Sequence, residues 1–274
     1  MEPQKVPLLK TVRVLVTDAC NLRCKRCFNE GYPNRGTYFA DKETLVDAFA
    51  RLGEPIQSIK VTGGEPLMHP HIDEVVSAFT EIAPTSLTTN GLLLRHKAAD
   101  LAPEVPITVS IYGTRADEFA QYTQMPASVF EKVTEQLRVV NEWDDRTFRA
   151  NIIIQPRKQW SVLRYVRFLE EFSFSTVRFL TLLGPEKDSV AYLKNLQATV
   201  EFLEQYTESE PSDDPSIRSF DAGNVEYQLV VQYDEFDADV RDRFGFVWIG
   251  PRGEVYQNKD ESVFSTRGFT QPRS

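Results

Sequence analysis

The residues best able to do chemistry in this 274-residue chain lie near its start. Its three cysteines, Cys20, Cys24 and Cys27, fall within eight residues as C-x3-C-x2-C. An odd, clustered set is not a disulfide framework, and structural cysteines scattered through a core do not bunch this way. Thiolates at this spacing on a loop can converge on one soft metal centre. Two centres suit the spacing: an iron–sulfur cluster, or a zinc ion completed by a fourth ligand. The histidines His69, His71 and His96 are distant in sequence, so zinc needs the fold to deliver one of them. Three thiolates on a four-iron cluster leave one iron open, and an open iron is a place for chemistry rather than scaffolding.

The elements that must position this loop alternate regularly. Thr11–Thr17 is β-rich and runs directly into the cysteines. Asp41–Leu52 has helical spacing, with Leu45, Phe49 and Leu52 on one face and Asp41 as its N-cap. Ser58–Thr62 reads as a strand leading into Gly63-Gly64-Glu65-Pro66, with a helix following at Ile72–Ile82. Further strands are expected at Thr85–Thr89, Pro106–Ile111, Phe148–Gln155 and Thr176–Leu183. Further helices are expected at Leu93–Leu101, Ser128–Trp143, Ser161–Phe172 and Val190–Tyr206. Short, mostly apolar, β-branched strands predict parallel pairing with both faces covered. Six such strand–helix units predict an α/β fold, a partial (β/α)6 TIM-like barrel whose active face lies at the C-terminal strand ends. The segments Asp18–Phe28, Gly63–Pro66, Thr89–Gly91 and Tyr112–Gly113 all follow strands.

Past residue 206 the character changes. Glu208–Asp221 is acidic, with Pro and Ser, and reads as a linker. Val225–Tyr233, Phe244–Ile249 and Glu254–Gln257 predict a small C-terminal β appendage, with a turn at Pro251-Arg252-Gly253. The expected organisation is a core over residues 1–206 and an acidic linker with a small β region over 207–274. Apolar residues make up 41% and charged residues 26%, a core-forming composition rather than a disordered one. With 31 basic against 40 acidic residues, the net charge of −9 disfavours nucleic acid and anionic membranes as partners. No apolar run is long enough to span a bilayer. The start, MEPQKVPLLK, lacks the apolar stretch of a signal peptide, so a reducing, cytoplasmic location is expected.

The run Thr17-Asp18-Ala19-Cys20-Asn21-Leu22-Arg23-Cys24-Lys25-Arg26-Cys27-Phe28 resembles the cluster loop of radical S-adenosylmethionine (SAM) enzymes. Gly63-Gly64-Glu65-Pro66 follows the second strand, where that family places its second motif. Ser86–Leu94 resembles the TTNG segment of the branch containing the GTP-cyclising enzyme of molybdenum-cofactor synthesis. Val109–Gly113 and Arg178–Leu180 sit where that branch has related segments, so the resemblance spans about residues 11–185. It implies one 4Fe–4S cluster on Cys20, Cys24 and Cys27, with SAM on the open iron. It also implies reductive cleavage of SAM to a 5′-deoxyadenosyl radical that abstracts hydrogen from substrate. By the same resemblance, SAM is contacted by Arg26, Phe28, Gly63, Gly64, Glu65, Pro66, Thr88, Thr89, Asn90 and Ser110. Taken singly, a Gly-Gly-Glu-Pro segment is more often just a turn, and Ser110 a hydroxyl satisfied by backbone; their order along the chain is what raises them. Arg26 stands where the family usually has an aromatic residue; it either stacks on adenine or is a surface arginine. His69 and His71 read as polar residues at a helix start.

No cysteine remains for an auxiliary cluster. Phe246–Gln257 resembles the hairpin that precedes such a cysteine in relatives, with Gln257 in its place. Dehydrogenation through a second cluster and epimerisation quenched by a thiol are therefore disfavoured. Cyclisation, elimination, decarboxylation and isomerisation remain. Candidate substrate contacts are Tyr112, Asn151, Gln155 and Arg178; Asn151 and Gln155 share strand parity, and Arg178 suits a phosphate or carboxylate. Taken singly, each is more often a satisfied structural polar group. The expected substrate is a small polar metabolite: a nucleotide, nucleoside or sugar. A peptide whose basic leader meets the acidic linker and β region is the alternative. A non-catalytic metal-binding protein is the reading from a different class. The resemblance also implies an external low-potential reductant such as a flavodoxin or ferredoxin.

Overall fold

A computed structural model describes residues 11–25, 27, 36–53, 55–182, 185–210, 216–232 and 246–256. In chain order the strands are β1 (Thr11–Leu15), β2 (Ile59–Thr62), β3 (Thr85–Thr89), β4 (Ile107–Ser110), β5 (Phe148–Ile153) and β6 (Thr176–Leu180). They continue as β7 (Thr207–Glu208), β8 (Ile217–Asp221), β9 (Glu226–Val230), β10 (Phe246–Ile249) and β11 (Val255–Tyr256). The α-helices are α1 (Lys42–Leu52), α2 (Ile72–Thr80), α3 (Leu94–Lys97), α4 (Ala116–Thr123), α5 (Ser128–Leu137), α6 (Val162–Leu169) and α7 (Val190–Leu203). No helix among the described residues is long and apolar enough to cross a membrane.

Local chemistry sets several of these bounds. The Asp41 carboxylate accepts the Thr44 N–H at 3.0 Å and starts α1, which ends where Gly53 turns left-handed at φ 69°. Ser161 and Ser189 cap α6 and α7 in the same way. The helix expected to reach Trp143 tightens after Leu137 into a 3-10 turn, Arg138–Asn141. Helix α4 and strands β7 and β8 depart from the sequence reading. Helix α4 is absent from it because Phe119 and Tyr122 are too few buried apolar positions to make a periodic signal. The stretch read as a linker holds β7 and β8, whose backbones pair antiparallel with each other and, for β8, with β9.

The chain forms two compact units: Met1–Thr89 with Leu93–Val105 and Asp234–Ser274, and Asn90–Leu92 with Pro106–Tyr233. In the first, the strand order is β11-β10-β1-β2-β3, with β10, β1, β2 and β3 parallel. Its core includes Val12, Val14, Ile59, Val61 and Leu87, with Phe49 of α1 meeting Phe79 of α2 edge-on at 5.0 Å. In the second, the order is β4-β5-β6-β9-β8-β7, parallel through β9 and antiparallel after it. Neither unit's sheet closes on itself. The C-terminal β region expected after residue 207 is present, but its strands pair with the core: β9 lies beside β6 and β10 beside β1.

The strands are not uniformly apolar. In β5, Phe148, Ala150 and Ile152 are buried while Arg149, Asn151 and Ile153 are half-buried; β2 and β3 alternate likewise. One face therefore makes the core and the other carries polar groups, a period-2 pattern that both-face coverage would have erased.

Candidate functional site

Strand β1 delivers the chain to the cysteine loop, and two neighbouring segments hold its exit. On one side, Gly64 N–H donates to Thr17 O and Glu65 N–H to Ala19 O, both at 2.7 Å. A Cβ added to Gly64 would stand 2.1 Å from Ala19 O, and one added to Gly63 2.8 Å from Thr17 O. The two glycines thus let the turn after β2 lie flat on the residues that precede Cys20. On the other side, Tyr38 N–H donates to Asp18 Oδ1 at 2.9 Å. Tyr38 O accepts Thr17 Oγ1–H at 2.7 Å and Asp18 N–H at 3.3 Å. Gly36 is confined to glycine there, since its Cβ would fall 2.0 Å from the Asp18 carboxyl carbon.

Cys20, Cys24 and Cys27 are all half-buried. Burial pushes the Cys20 thiol up to about 11; the Leu22 N–H at 3.5 Å opposes the shift, and nearby Glu65 and Cys27 add to it. Leu22, 1% exposed, pins the loop, and Arg23 Nη1 donates to Cys20 O and Leu22 O at 2.8 and 2.9 Å. Among the described residues, no three His, Cys, Asp or Glu side chains are grouped to hold one metal ion. Thiolates on a four-iron cluster bind different irons and need not meet at one point. His69 is not a spare ligand. Its Nδ1 accepts His71 N–H at 3.2 Å, which leaves Nε2 protonated to donate to Ala40 O at 2.8 Å. Burial lowers its pKa.

The structure brings Glu65 and Thr89 together. Glu65 is 1% exposed; its Oε1 accepts Leu67 N–H at 3.0 Å and Thr89 Oγ1–H at 2.6 Å. It thereby caps the 3-10 turn Pro66–Met68 and ties that turn to the end of β3. Thr88, of opposite parity, is half-buried. Arg26, Phe28 and Gln257 lie outside the described residues.

In the second unit, Asn90 Oδ1 accepts Leu92 N–H at 3.0 Å, closing a turn in which Gly91 takes φ 83°. Ser110, Asn151, Arg178 and Gln228 lie side by side in register across β4, β5, β6 and β9. This polar row is linked: Arg178 Nε donates to Gln228 Oε1 at 2.7 Å, and Gln228 Nε2 donates to Glu226 Oε2 at 2.8 Å. Asn151 Oδ1 is buried without a protein hydrogen bond. Tyr112 instead stacks on Tyr122 of α4 at 5.3 Å, and Gln155 is buried with its carbonyl held by Asn195 Nδ2 at 2.7 Å.

Sequence reasoning missed two members. Gln228 sat in a strand read as an appendage; its parity within Glu226–Val230 was the available signal. Arg157 follows Pro156 in the loop after β5, where no periodicity marks it. Its Nη2 donates to Tyr112 O at 3.4 Å and its guanidinium lies 5.7 Å from the Tyr122 ring centroid. Its Nη1 is buried with no protein acceptor.

Residues 14–154 match the family model described as the Radical SAM superfamily. The chain belongs to the radical SAM superfamily. Among curated relatives of this radical SAM chain, it is 25% identical over 203 residues to a "Probable GTP 3',8-cyclase" of Saccharolobus islandicus, covering 72% of this chain and 65% of the cyclase. It is 29% identical over 183 residues to the GTP 3',8-cyclase of Aquifex aeolicus, covering 63% and 56%. The chain thus spans less than two thirds of either cyclase. Among solved structures, Streptococcus suis SuiB bound to S-adenosylmethionine superposes with TM-score 0.63 at 13% identity, covering 90% of this chain and 59% of SuiB. Tagged anSMEcpe with bound AdoMet gives 0.55 at 18% identity, covering 73% and 61%. This likeness shows the fold, the α/β partial barrel expected from the strand–helix alternation. Membership implies SAM and a 4Fe–4S cluster. Three thiols on one loop, with the glycine pair packed on the residues before it, fit that requirement.

Proposed function

We propose that this chain is a radical SAM enzyme that acts on a small polar metabolite carrying an anionic group, a nucleotide or sugar phosphate before a nucleoside or sugar. Cys20, Cys24 and Cys27 would hold its one 4Fe–4S cluster. When bound, cluster and SAM together supply the 5′-deoxyadenosyl radical that abstracts hydrogen. Gly63–Pro66, Thr88, Thr89, Asn90 and Ser110 would bind SAM; Arg26 and Phe28 would join them. The observation that carries the substrate class is a pair of buried, unpartnered groups in the second unit, Asn151 Oδ1 and Arg157 Nη1. Both belong to β5 and the loop that leaves it, and Arg157 is tethered to Tyr112, two residues beyond Ser110. A substrate donor on Asn151 and an anionic acceptor on Arg157 would satisfy both. Arg178, in register beside Asn151 on the neighbouring strand, would join them. All three cysteines of this sequence sit in the loop, which favours cyclisation, elimination, decarboxylation or isomerisation over chemistry needing a second cluster. An external low-potential reductant, a flavodoxin or ferredoxin in the cytoplasm, would supply the electron.

The test is anaerobic reconstitution with iron and sulfide, then dithionite and SAM, with 5′-deoxyadenosine as the readout and Cys24→Ala as control. About four irons per chain, with nucleoside formed by the wild type alone and faster with nucleotides or sugar phosphates, is the expected result. Arg157→Gln should abolish that acceleration while leaving iron content intact. Zinc or no metal overturns the mechanism. Acceleration by a peptide alone replaces the metabolite reading with the peptide one.

A further inference from the structure

The C-terminal hairpin of the first unit carries no cysteine, yet it is docked where it can act on the cluster loop. Strand β10 lies parallel to β1 in the register Thr11↔Phe246 to Val14↔Ile249, so it flanks the strand that delivers Cys20. The turn that joins it to β11 is closed by Gly253 N–H to Gly250 O at 3.0 Å and Gly250 N–H to Glu254 O at 2.8 Å. This turn runs along one edge of α1. A Cβ on Gly253 would stand 2.9 Å from Thr44 Cγ2, and Gly253 O accepts from Arg51 Nη2 at 2.5 Å. Thr44 and Arg51 are two helical turns apart, so the contact fixes the turn's direction as well as its position.

So anchored, the turn presents Arg252. Its guanidinium carbon lies 4.4 Å from the centroid of the Tyr38 ring, while its own N–H is held by Glu254 Oε2 at 2.9 Å. Pro251 and Gly253 on either side are buried, and Arg252 is exposed. Tyr38 is the residue whose backbone N–H and carbonyl bracket Asp18 and Thr17, two and three residues before Cys20. A stacked guanidinium is a broad contact that a small side chain cannot replace.

We propose that Arg252 is a positioning residue for the cluster loop: by stacking on Tyr38 it holds the Tyr38 backbone against Thr17 and Asp18, and so fixes the exit of β1 into Cys20. The hairpin serves as a brace in place of a cluster ligand. The cluster arm of the test rests on the proposed function; the exchange arm does not.

The test compares Arg252→Met, Arg252→Lys, Tyr38→Leu and Tyr38→Phe with the wild type. In the apoprotein, hydrogen exchange at the Tyr38 and Asp18 amides should quicken about two- to fivefold in Arg252→Met and Tyr38→Leu. It should stay at the wild-type rate in Tyr38→Phe, which keeps the ring, and fall between in Arg252→Lys. Amides of β4–β6 should not change in any variant. In the reconstituted protein, Arg252→Met and Tyr38→Leu should lose cluster absorbance in air faster and broaden the reduced-state EPR signal, with Tyr38→Phe unaltered. Wild-type exchange at Tyr38 and Asp18 in Arg252→Met overturns the brace, whatever the cluster does. Altered exchange with wild-type cluster lifetime and EPR spectrum overturns its role toward the cluster. A wild type that takes up no iron overturns the proposed function instead, and leaves exchange to decide the brace. Should Arg252→Met fail to fold, Tyr38→Leu against Tyr38→Phe gives the same decision.

Discussion

Glu65 separates two roles that look alike at the residue scale. Its Oε1 satisfies Leu67 N–H and Thr89 Oγ1–H, which is structural, yet it lies in the turn assigned to SAM. Glu65→Gln keeps an acceptor oxygen for both donors, so thermal stability should hardly move. Glu65→Ala strips both and should cost about 1–3 kcal/mol in urea unfolding. A weaker SAM affinity in Glu65→Gln, read by equilibrium dialysis, identifies a ligand contact; unchanged affinity leaves it a cap. The cysteine spacing is legible in the sequence because a soft metal centre would require such a pattern. The two glycines were legible as a motif, but their physical reason was not: the space a Cβ would fill belongs to Thr17 O and Ala19 O. Gly64→Ala should accordingly lower apoprotein stability by about 2–4 kcal/mol and reduce iron uptake, read by melting and iron assay. The Cys20 thiol adds a pH dependence. Burial raises it from 9.0 to about 11, so in the apoprotein the protonated thiol's contribution is full below pH 9 and is lost as pH rises through 11. Urea midpoints measured from pH 8 to 11 should fall further in the wild type than in Cys20→Ala, since the buried Tyr165 and Tyr227 hydroxyls, also raised, weaken both proteins alike.

At the scale of elements, the sequence foretold those whose signals are local. Strand β3 has the expected bounds, and α1 starts at its aspartate cap. What it missed depends on partners far along the chain. Strand β8, IRSFD at the end of the acidic stretch, gave no strand signal, because pairing with β9 rather than composition makes it a strand. The loop after β5 is a similar case. Arg157 is placed not by its own sequence but by α7, where Asn195 Nδ2 donates to Gln155 O at 2.7 Å and Arg157 O at 2.9 Å. Replacing Asn195 by Ala removes both bonds and should cost about 2 kcal/mol, at about 1 kcal/mol each. Because the loop carries Arg157, the same variant should weaken the acceleration by an anionic substrate without lowering the uncoupled formation of 5′-deoxyadenosine. A stability loss with that acceleration intact would leave Asn195 a fold residue alone.

For the whole molecule, connectivity matters more than composition. The net charge of −9 describes solubility and partners but says nothing of where the units divide. A strand-by-strand reading places the boundary where the alternation stops, near residue 206. Contacts place β10 and β11 with the N-terminal unit and β4 to β9 in the other. The reason is that β10 completes the sheet beside β1, and β9 extends the sheet beside β6. Neither pairing leaves a trace in local periodicity, since any short apolar strand fits either edge. The consequence is measurable, because cooperative opening follows contacts rather than sequence proximity. Under mild urea, amides of Phe246–Ile249 should exchange with the free energy of β1 and β2, although more than 180 residues separate them in the chain. Amides of Glu226–Val230, far nearer in sequence to β10, should follow β5 and β6 instead. Exchange of both strands as one late-opening C-terminal block would show that residues 207–274 behave as the appendage their sequence describes, and that β10 adds little to the strand carrying the cysteine loop.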